Sequence, residues 1–131
     1  MKHGTVTVCS GMNRVETTTF RTDGAYADHR HPEQVTFTDS LQDDLSRRDF
    51  TVNAMAMELA GRLHDPFHGR EDLKNGVLRC VGEPEKRFSE DALRILRCLR
   101  FAAVLDFTVE RETAAAMENC RELLREIAPE R

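Results

Sequence analysis

The sequence predicts an α+β fold, with a mixed segment at residues 1–82 followed by an all-helical segment at residues 83–131. Two observations support this division. Short stretches rich in valine and threonine alternate with turn-forming residues in the first segment, a pattern typical of β-strands. After Pro84 the apolar residues recur at helical spacing instead. The composition therefore changes near residue 82.

A hairpin is predicted at the start of the chain. Residues 4–9 and 14–21 are rich in β-branched side chains, and the Ser10-Gly11-Met12-Asn13 stretch between them favours a turn. Residues 22–34 contain Asp-Gly, a His-Arg-His cluster and a proline, so we expect a polar loop there. A short strand is predicted at residues 35–37.

The rest of the first segment is predicted to mix helix and strand. Residues 40–59 are expected to be largely helical, and residues 61–64 and 76–81 to form strands. Between these two strands, Asp65-Pro66-Phe67 favours a hinge turn.

The second segment starts with the most informative helix of the chain. We expect it to begin at Ser89, a good N-cap residue, and to end near Leu105, with two shorter helices following from about Val109. Its two sides differ in polarity. The apolar arc consists of Ala92, Ile95, Leu96, Leu99, Ala102 and Ala103. The opposite side is occupied, at steps of three residues, by Asp91, Arg94, Arg97 and Arg100.

Asp91 and Arg94 form a pair that can distinguish nucleobases. Three residues apart on a helix, they are neighbours, and aspartate only accepts hydrogen bonds while arginine only donates them. Cytosine and adenine offer an amino donor beside a ring-nitrogen acceptor, whereas uracil and guanine present the reverse order. The pair therefore fits C and A, and each mispaired group against U or G costs roughly 1–3 kcal/mol.

Other residues have the chemistry for a triphosphate and a sugar. Arg48, Arg97 and Arg100 carry guanidinium groups, which match phosphate geometry. Asp49 and Asn53, four residues apart on one predicted helix face, can bond ribose hydroxyls. Taken alone, each of these patterns is more often a surface ion pair, a capping asparagine or a solvated helix face.

The bulk composition excludes several classes of protein. The net charge of −4 argues against attraction of nucleic acid by the whole surface, although residues 87–100 hold four arginines against two carboxylates. The four cysteines form no C-x-x-C pair, so we expect reduced thiols, no zinc and a cytoplasmic location. No apolar stretch reaches the ~18–20 residues of a membrane span, so no membrane partner is expected.

Five ordered motifs resemble one family. They are HGTVTV (residues 3–8), VETTTFR (15–21), RRDFTVNA (47–54), DPFHGREDL (65–73) and RFSEDALR (87–94). Together they resemble the class II tRNA nucleotidyltransferases, the CCA-adding enzymes, which share ancestry with bacterial poly(A) polymerases. The resemblance implies part of a polymerase-β-like palm sheet at residues 1–82 and a truncated helical neck at residues 83–131.

The resemblance also implies substrates and roles. Asp91 and Arg94 would act as a protein template for CTP and ATP, which are added to the 3′ end of tRNA without a nucleic-acid template. The loop at residues 22–34, which related CC-adding enzymes lack, favours a CCA-adding parent. The implied nucleotide-binding residues are Arg48, Asp49, Asn53, Asp91, Arg94, Arg97 and Arg100, supported by Arg87 and Glu90.

The family's metal site is missing from this sequence. Transfer in the family resembles the two-metal scheme, with Mg²⁺ held by a D-x-D motif that follows a glycine-rich turn. Neither motif is present, and the adjacent Asp43 and Asp44 would point about 100° apart on a helix. The resemblance implies that Glu16, whose strand lies beside the metal site in the family, is a candidate ligand. We therefore expect an internal fragment that keeps nucleotide selection without metal chemistry.

Three other hypotheses remain open. The chain could be a fragment of a poly(A) polymerase, which would accept ATP alone. It could be a non-catalytic nucleotide- or RNA-binding module, completed by a partner chain that supplies the missing N-terminal half and its D-x-D motif. A plain helical regulatory domain is the third.

We predict that this chain alone does not transfer nucleotides, because it lacks the carboxylates that hold the metal ions. The measurement is incorporation of labelled CMP into a tRNA that ends before its CCA sequence, with a complete CCA-adding enzyme as the positive control. Incorporation above background by the purified chain would contradict this prediction.

Overall fold

A computed structural model describes residues 4–24, 26 and 34–126. Four short strands come first in this part of the chain, followed by a mixture of helices and two-residue strands, and the predicted α+β class is confirmed. The strands are β1 (Thr5–Ser10), β2 (Asn13–Thr18), β3 (Arg21–Asp23), β4 (Val35–Phe37), β5 (Ala56–Met57), β6 (Leu63–His64), β7 (Val77–Leu78) and β8 (Thr108–Val109). The α-helices are α1 (Leu41–Ser46), α2 (Gly69–Asn75), α3 (Pro84–Glu90), α4 (Leu93–Leu105) and α5 (Arg111–Cys120), with 3-10 helices at Thr51–Asn53 and Arg121–Glu126.

The predicted hairpin is confirmed. β1 and β2 pair in antiparallel register from Thr5 opposite Thr18 to Ser10 opposite Asn13. Gly11 sits in the turn with a φ of 59°, in the left-handed region that glycine adopts without steric cost. Every residue of both strands is exposed.

The predicted polar loop at residues 22–34 lies mostly outside the described residues. Its first two residues are strand rather than loop, because Thr22 and Asp23 belong to β3, which pairs antiparallel with β4. β4 covers Val35–Phe37, as predicted.

The prediction of a helix at residues 40–59 is wrong beyond Ser46, where α1 ends. α1 begins after Ser40, whose hydroxyl accepts from the Asp43 N–H at 3.2 Å, and ends after six residues. Phe50 is extended, with φ −125° and ψ 150°, and forms an isolated bridge with Cys80. Its side chain is fully buried. Tertiary pairing and burial of Phe50 therefore override the local helical pattern.

The Asp65-Pro66-Phe67 turn leads into a helix that the sequence pattern did not predict. The Asp65 carboxylate accepts from the N–H groups of Gly69 at 2.7 Å and Arg70 at 3.0 Å, which caps the start of α2. Gly76, with a φ of 64°, ends it. The predicted strands on either side shorten to the two-residue β6 and β7.

The predicted long helix is divided at Asp91. Pro84 starts α3 early, as proline favours at a first helical position. Ser89 is therefore not an N-cap: it lies inside α3 and its hydroxyl donates to the Glu85 carbonyl at 2.8 Å. Asp91 is extended, with φ −142° and ψ 98°, and its carboxylate accepts from the Leu93 N–H at 3.0 Å at the start of α4.

The buried face of α4 is rotated from the predicted apolar arc. Ile95 and Cys98 are buried, and so is Arg94, whereas Leu96 and Leu99 are 43% and 53% exposed. Arg94 tolerates burial because backbone and carboxylate oxygens surround its guanidinium.

The segment after Pro84 is not all helical. β8 pairs in parallel with β7, Thr108 opposite Val77 and Val109 opposite Leu78. Two residues are too few to show a strand period in the sequence, so only the tertiary pairing reveals β8.

One core crosses the predicted boundary at residue 82, and that boundary stays a prediction. The Cys80 N–H donates to the buried Thr113 hydroxyl at 3.1 Å, which ties the two segments together. The buried cluster consists of Phe50, Leu78, Cys80, Phe88, Ile95, Cys98, Ala116 and Cys120.

All four cysteines are free, and Cys80, Cys98 and Cys120 are buried. Burial raises the pKa of the Cys80 thiol to about 12 and that of Cys98 to about 11, so both stay protonated near neutral pH. Among the described residues, none of the helices combines the length and apolar character needed to cross a bilayer.

We predict that Gly69→Ala lowers the free energy of unfolding by about 1–3 kcal/mol, the usual cost of overpacking. A Cβ at this position would overlap the Thr51 carbonyl oxygen, where α2 packs on the 3-10 helix. Chemical denaturation measures the change, with Lys74→Ala on the exposed side of the same helix as the control. Equal stability of the two variants would contradict the prediction.

Candidate functional site

An open cleft of about 410 Å³ lies between the start of α4 and the segment that follows α1. It brings together six of the seven residues predicted to bind a nucleotide; Arg100 does not line it. Its walls are formed by Arg47, Arg48, Asp49, Asn53, Asp91, Arg94, Arg97 and Phe101. We call this space the central cleft.

The central cleft is positively charged. Four arginines and two aspartates line it, which gives a local charge of +2 although the chain as a whole has −4. A cationic concavity on an acidic protein concentrates anionic ligands at that one place. The arrangement therefore fits an anion such as a phosphate better than it fits a metal ion.

Asp91 and Arg94 lie side by side on one wall, but not on one helix. The Arg94 Nε and the Asp91 Oδ2 are 4.0 Å apart. Asp91 lies in the break between α3 and α4, and Arg94 in the first turn of α4. The predicted neighbourhood is thus observed, while the regular helix that predicted it is absent.

Three oxygen atoms hold the Arg94 guanidinium from behind. Its Nη2 donates to the Arg47 carbonyl at 3.1 Å, and its Nη1 donates to the Arg87 carbonyl and to Glu90 Oε2, each at 3.4 Å. Glu90 also accepts from Arg87 Nη2 at 2.6 Å. Arg87 and Glu90 therefore lie behind Arg94 and line a separate cleft of about 440 Å³.

Asp49 is buried, and both of its carboxylate oxygens accept hydrogen bonds. Oδ1 accepts from the backbone N–H of Phe50 at 2.9 Å and from Asn53 Nδ2 at 3.2 Å. Oδ2 accepts from Arg97 Nε at 2.7 Å, with Arg97 Nη2 at 2.6 Å. Asp49 and Asn53 share no helix face, since Asp49 precedes the 3-10 helix that Asn53 ends.

Phe101 is a lining residue that the sequence analysis missed. The Arg97 guanidinium carbon lies 5.3 Å from the centre of its ring, a cation–π distance. The Phe101 ring in turn meets Phe50 edge to face at 6.0 Å. Its spacing of four residues from Arg97 on α4 is the signal that could have identified it.

Asp44, which the sequence analysis considered only as a metal ligand, instead supports two arginines of the central cleft. It lies on α1 outside the central cleft, is 3% exposed, and accepts hydrogen bonds from Arg47 and Arg48. Burial alone would raise the pKa of its carboxyl, but the hydrogen bonds from the two arginines outweigh burial and hold the pKa below its usual value of 3.8. The spacing of Asp44 from Arg47 and Arg48, three and four residues, could have indicated this contact.

The described residues do not form a metal site. No group of three His, Cys, Asp or Glu side chains within them is arranged to hold a metal ion. Glu16, the candidate ligand, is exposed on β2 opposite Thr7. The described carboxylates therefore do not fit a two-metal centre.

The sequence matches the family model of the poly(A) polymerase head domain over residues 1–79, more than half of the chain. The chain belongs to this family. The resemblance to tRNA nucleotidyltransferases and poly(A) polymerases is thereby confirmed.

Curated relatives in this family are CCA-adding enzymes. The chain is 53% identical to the CCA-adding enzyme of Lactobacillus helveticus and 50% identical to that of Streptococcus gordonii, in each case over all 131 residues. It spans about a third of the length of these relatives, 33% in both cases.

Solved structures of the family share the fold. The Bacillus stearothermophilus CCA-adding enzyme, in its crystal structure in complex with CTP, has 46% sequence identity to this chain. The two structures superpose with a TM-score of 0.87 over 97% of this chain and 30% of that one. A tRNA nucleotidyltransferase complexed with a primer tRNA and an incoming ATP analog is 38% identical, with a TM-score of 0.72 over 92% of this chain and 33% of that one.

We predict that Asp49→Asn lowers the free energy of unfolding by about 1–3 kcal/mol, because it removes the buried charge that accepts from Arg97 and turns an amide N–H₂ toward donors. Urea denaturation gives the difference. Asp39→Asn, a change of the same chemistry at an exposed position, should stay within about 0.5 kcal/mol. A loss in Asp49→Asn no larger than in the control would refute the prediction.

Proposed function

We propose that the chain is the nucleotide-selecting part of a CCA-adding tRNA nucleotidyltransferase, which adds CMP and AMP from CTP and ATP to the 3′ end of tRNA. The observation that carries the proposal is the Asp91–Arg94 pair, 4.0 Å apart at one wall of a cationic cleft. One acceptor and one donor at this spacing suit the Watson–Crick edge of cytosine or adenine.

The family comparisons support the same activity. Relatives about half identical to this chain are CCA-adding enzymes, and structural neighbours bind CTP, or a primer tRNA together with an ATP analog. A poly(A) polymerase parent is the alternative, since the family model bears that name. The names of the relatives favour CCA addition.

Base selection in the central cleft would depend on a fixed donor. Arg94 uses three of its five N–H groups on the oxygens behind it. Held in this way, it cannot rotate to suit uracil or guanine, which would then face donor with donor and acceptor with acceptor. The cost of each buried mismatch, roughly 1–3 kcal/mol, is enough to favour C and A over U and G.

The triphosphate would lie along the arginines at the mouth of the cleft. The side chains of Arg48 and Arg97 are 44% and 49% exposed, so both guanidinium groups reach solvent while a carboxylate anchors each one. Arg100, exposed on α4 one turn beyond Arg97, would contact the triphosphate or RNA at the rim. Asn53 would face the sugar, and its hydrogen bond to Asp49 would orient the Asn53 side chain.

Transfer itself would need groups from outside the described residues. We propose that the complete enzyme uses Mg²⁺, held by carboxylates of a further segment or of a partner chain, and that Glu16 is at most an accessory ligand. We also propose a cytoplasmic location, in line with the four free cysteines.

We predict that CTP and ATP bind this chain more tightly than UTP and GTP, and that Asp91→Asn removes most of the preference. Asparagine keeps an oxygen that accepts from the Leu93 N–H, but the second carboxylate oxygen is replaced by an N–H₂ group, which is a donor without charge. Competition titrations followed by NMR measure the four affinities, and we expect roughly a tenfold preference, equivalent to about 1.4 kcal/mol.

The control for this experiment is Arg70→Gln, which removes an exposed positive charge on α2, away from the central cleft. It should leave the preference unchanged. Equal binding of all four nucleotides by the unaltered chain would overturn the proposed selection.

A further inference from the structure

A buried carboxylate outside the central cleft, that of Asp44, holds two arginines that line the cleft. Asp44 accepts four N–H donors: Arg47 Nε at 3.1 Å, Arg47 Nη2 at 2.8 Å, Arg48 Nη2 at 3.0 Å and the Arg21 backbone N–H at 3.2 Å. Its side chain is 4% exposed and does not line the cleft. Asp44 thus reaches a ligand only through other residues.

Arg47 connects Asp44 to Arg94, the proposed donor to the base. Its guanidinium is held by Asp44 and lies 3.6 Å from Asp23 Oδ2 on β3. Its backbone carbonyl accepts from Arg94 Nη2 at 3.1 Å. Because Asp44 holds the Arg47 side chain at the end of α1, the Arg47 carbonyl keeps its position as acceptor for Arg94 at the start of α4.

Arg48 is the second residue that Asp44 orients. Its Nη2 donates to Asp44 Oδ2 at 3.0 Å, and its half-exposed side chain lines the central cleft. An arginine already anchored loses less side-chain entropy when it binds a phosphate. The same carboxylate thereby pre-arranges a proposed phosphate contact and the proposed base reader.

We infer that Asp44 is a positioning residue for nucleotide selection, acting on Arg94 through Arg47 and on the triphosphate through Arg48. The inference rests on the proposed function of the central cleft. It goes beyond that function by assigning part of the base discrimination to a residue that touches no ligand.

The role requires the charged carboxylate and not merely a side chain of its shape. An ionised aspartate accepts hydrogen bonds and donates none, and here Oδ1 accepts from three N–H groups while Oδ2 accepts from Arg48. An asparagine offers a single acceptor oxygen and turns its own N–H₂ toward arginine donors. An amide N–H₂ in place of Oδ2 would oppose Arg48, and one in place of Oδ1 would oppose Arg47. In either orientation Asp44→Asn removes the negative charge that pairs with both arginines, while it nearly preserves the volume of the side chain.

The experiment compares Asp44→Asn with Asp43→Asn, its neighbour on the same helix turn, which is exposed. We expect Asp44→Asn to weaken CTP binding roughly tenfold, the scale of one lost charge-assisted hydrogen bond, and to reduce the ratio of CTP to UTP affinity. Asp43→Asn should leave both within about twofold of the unaltered chain, since it removes an exposed charge.

The affinity ratio separates positioning from a purely structural role. A folded Asp44→Asn protein that melts earlier but keeps the unaltered CTP-to-UTP ratio would overturn the inference. If this variant does not fold, Arg47→Lys provides the test, because lysine keeps the positive charge but loses the paired contact of Nε and Nη2 with Asp44. An unchanged ratio in Arg47→Lys would then overturn it.

A second measurement distinguishes this inference from the proposed function. Hydrogen exchange of the arginine side-chain N–H groups, followed by NMR without nucleotide, should be faster at Arg94 as well as at Arg47 and Arg48 in Asp44→Asn. No change at Arg94 would overturn the link, whatever nucleotides bind. Faster exchange at Arg94 in a chain that binds CTP and UTP equally would refute the proposed selection while supporting the link from Asp44 to Arg94.

Discussion

The central cleft depends on arginines that buried acceptors hold in place. Free guanidinium groups on long side chains would repel one another and adopt many rotamers. Here Asp44 holds Arg47 and Arg48, Asp49 holds Arg97, and backbone carbonyls with Glu90 hold Arg94. The anions cost desolvation on burial, but hydrogen bonds from charged donors compensate. What results is a cationic surface whose arginines are held by acceptors of the protein itself.

The interruption at Asp91 positions the acceptor of the proposed base-reading pair. In a continuous helix, Asp91 would donate and accept within the regular backbone pattern and its side chain would follow the helix surface. In the break, its carboxylate caps α4 through Leu93 and also lies beside Arg94. The start of α4 thus fixes the Asp91 acceptor, and the oxygens around Arg94 fix the donor. Two different local constraints therefore place the two members of the proposed recognition pair.

The same packing links the two predicted segments. Phe50 joins the core beneath Phe101, Thr113 accepts from Cys80, and β8 pairs with β7. These contacts place the motif around Arg48 opposite the motif around Arg94. A chain that covers about a third of its curated relatives therefore still contains both walls of the cleft, which is why nucleotide selection can be proposed without metal chemistry.

The sequence by itself determined the α+β class, the hairpin and β4, and it named six residues that line the central cleft, because these depend on local pattern and motif chemistry. It did not determine that α1 stops at Ser46, that α3 and α4 separate at Asp91, or that β8 exists. It also gave no sign that Arg94 is buried and Leu96 exposed. Those features were decided by the tertiary structure, since they follow from the burial of Phe50, from strand pairing and from distant carbonyls that satisfy a buried guanidinium. No local periodicity encodes contacts between residues more than 40 positions apart, such as Arg94 with Arg47.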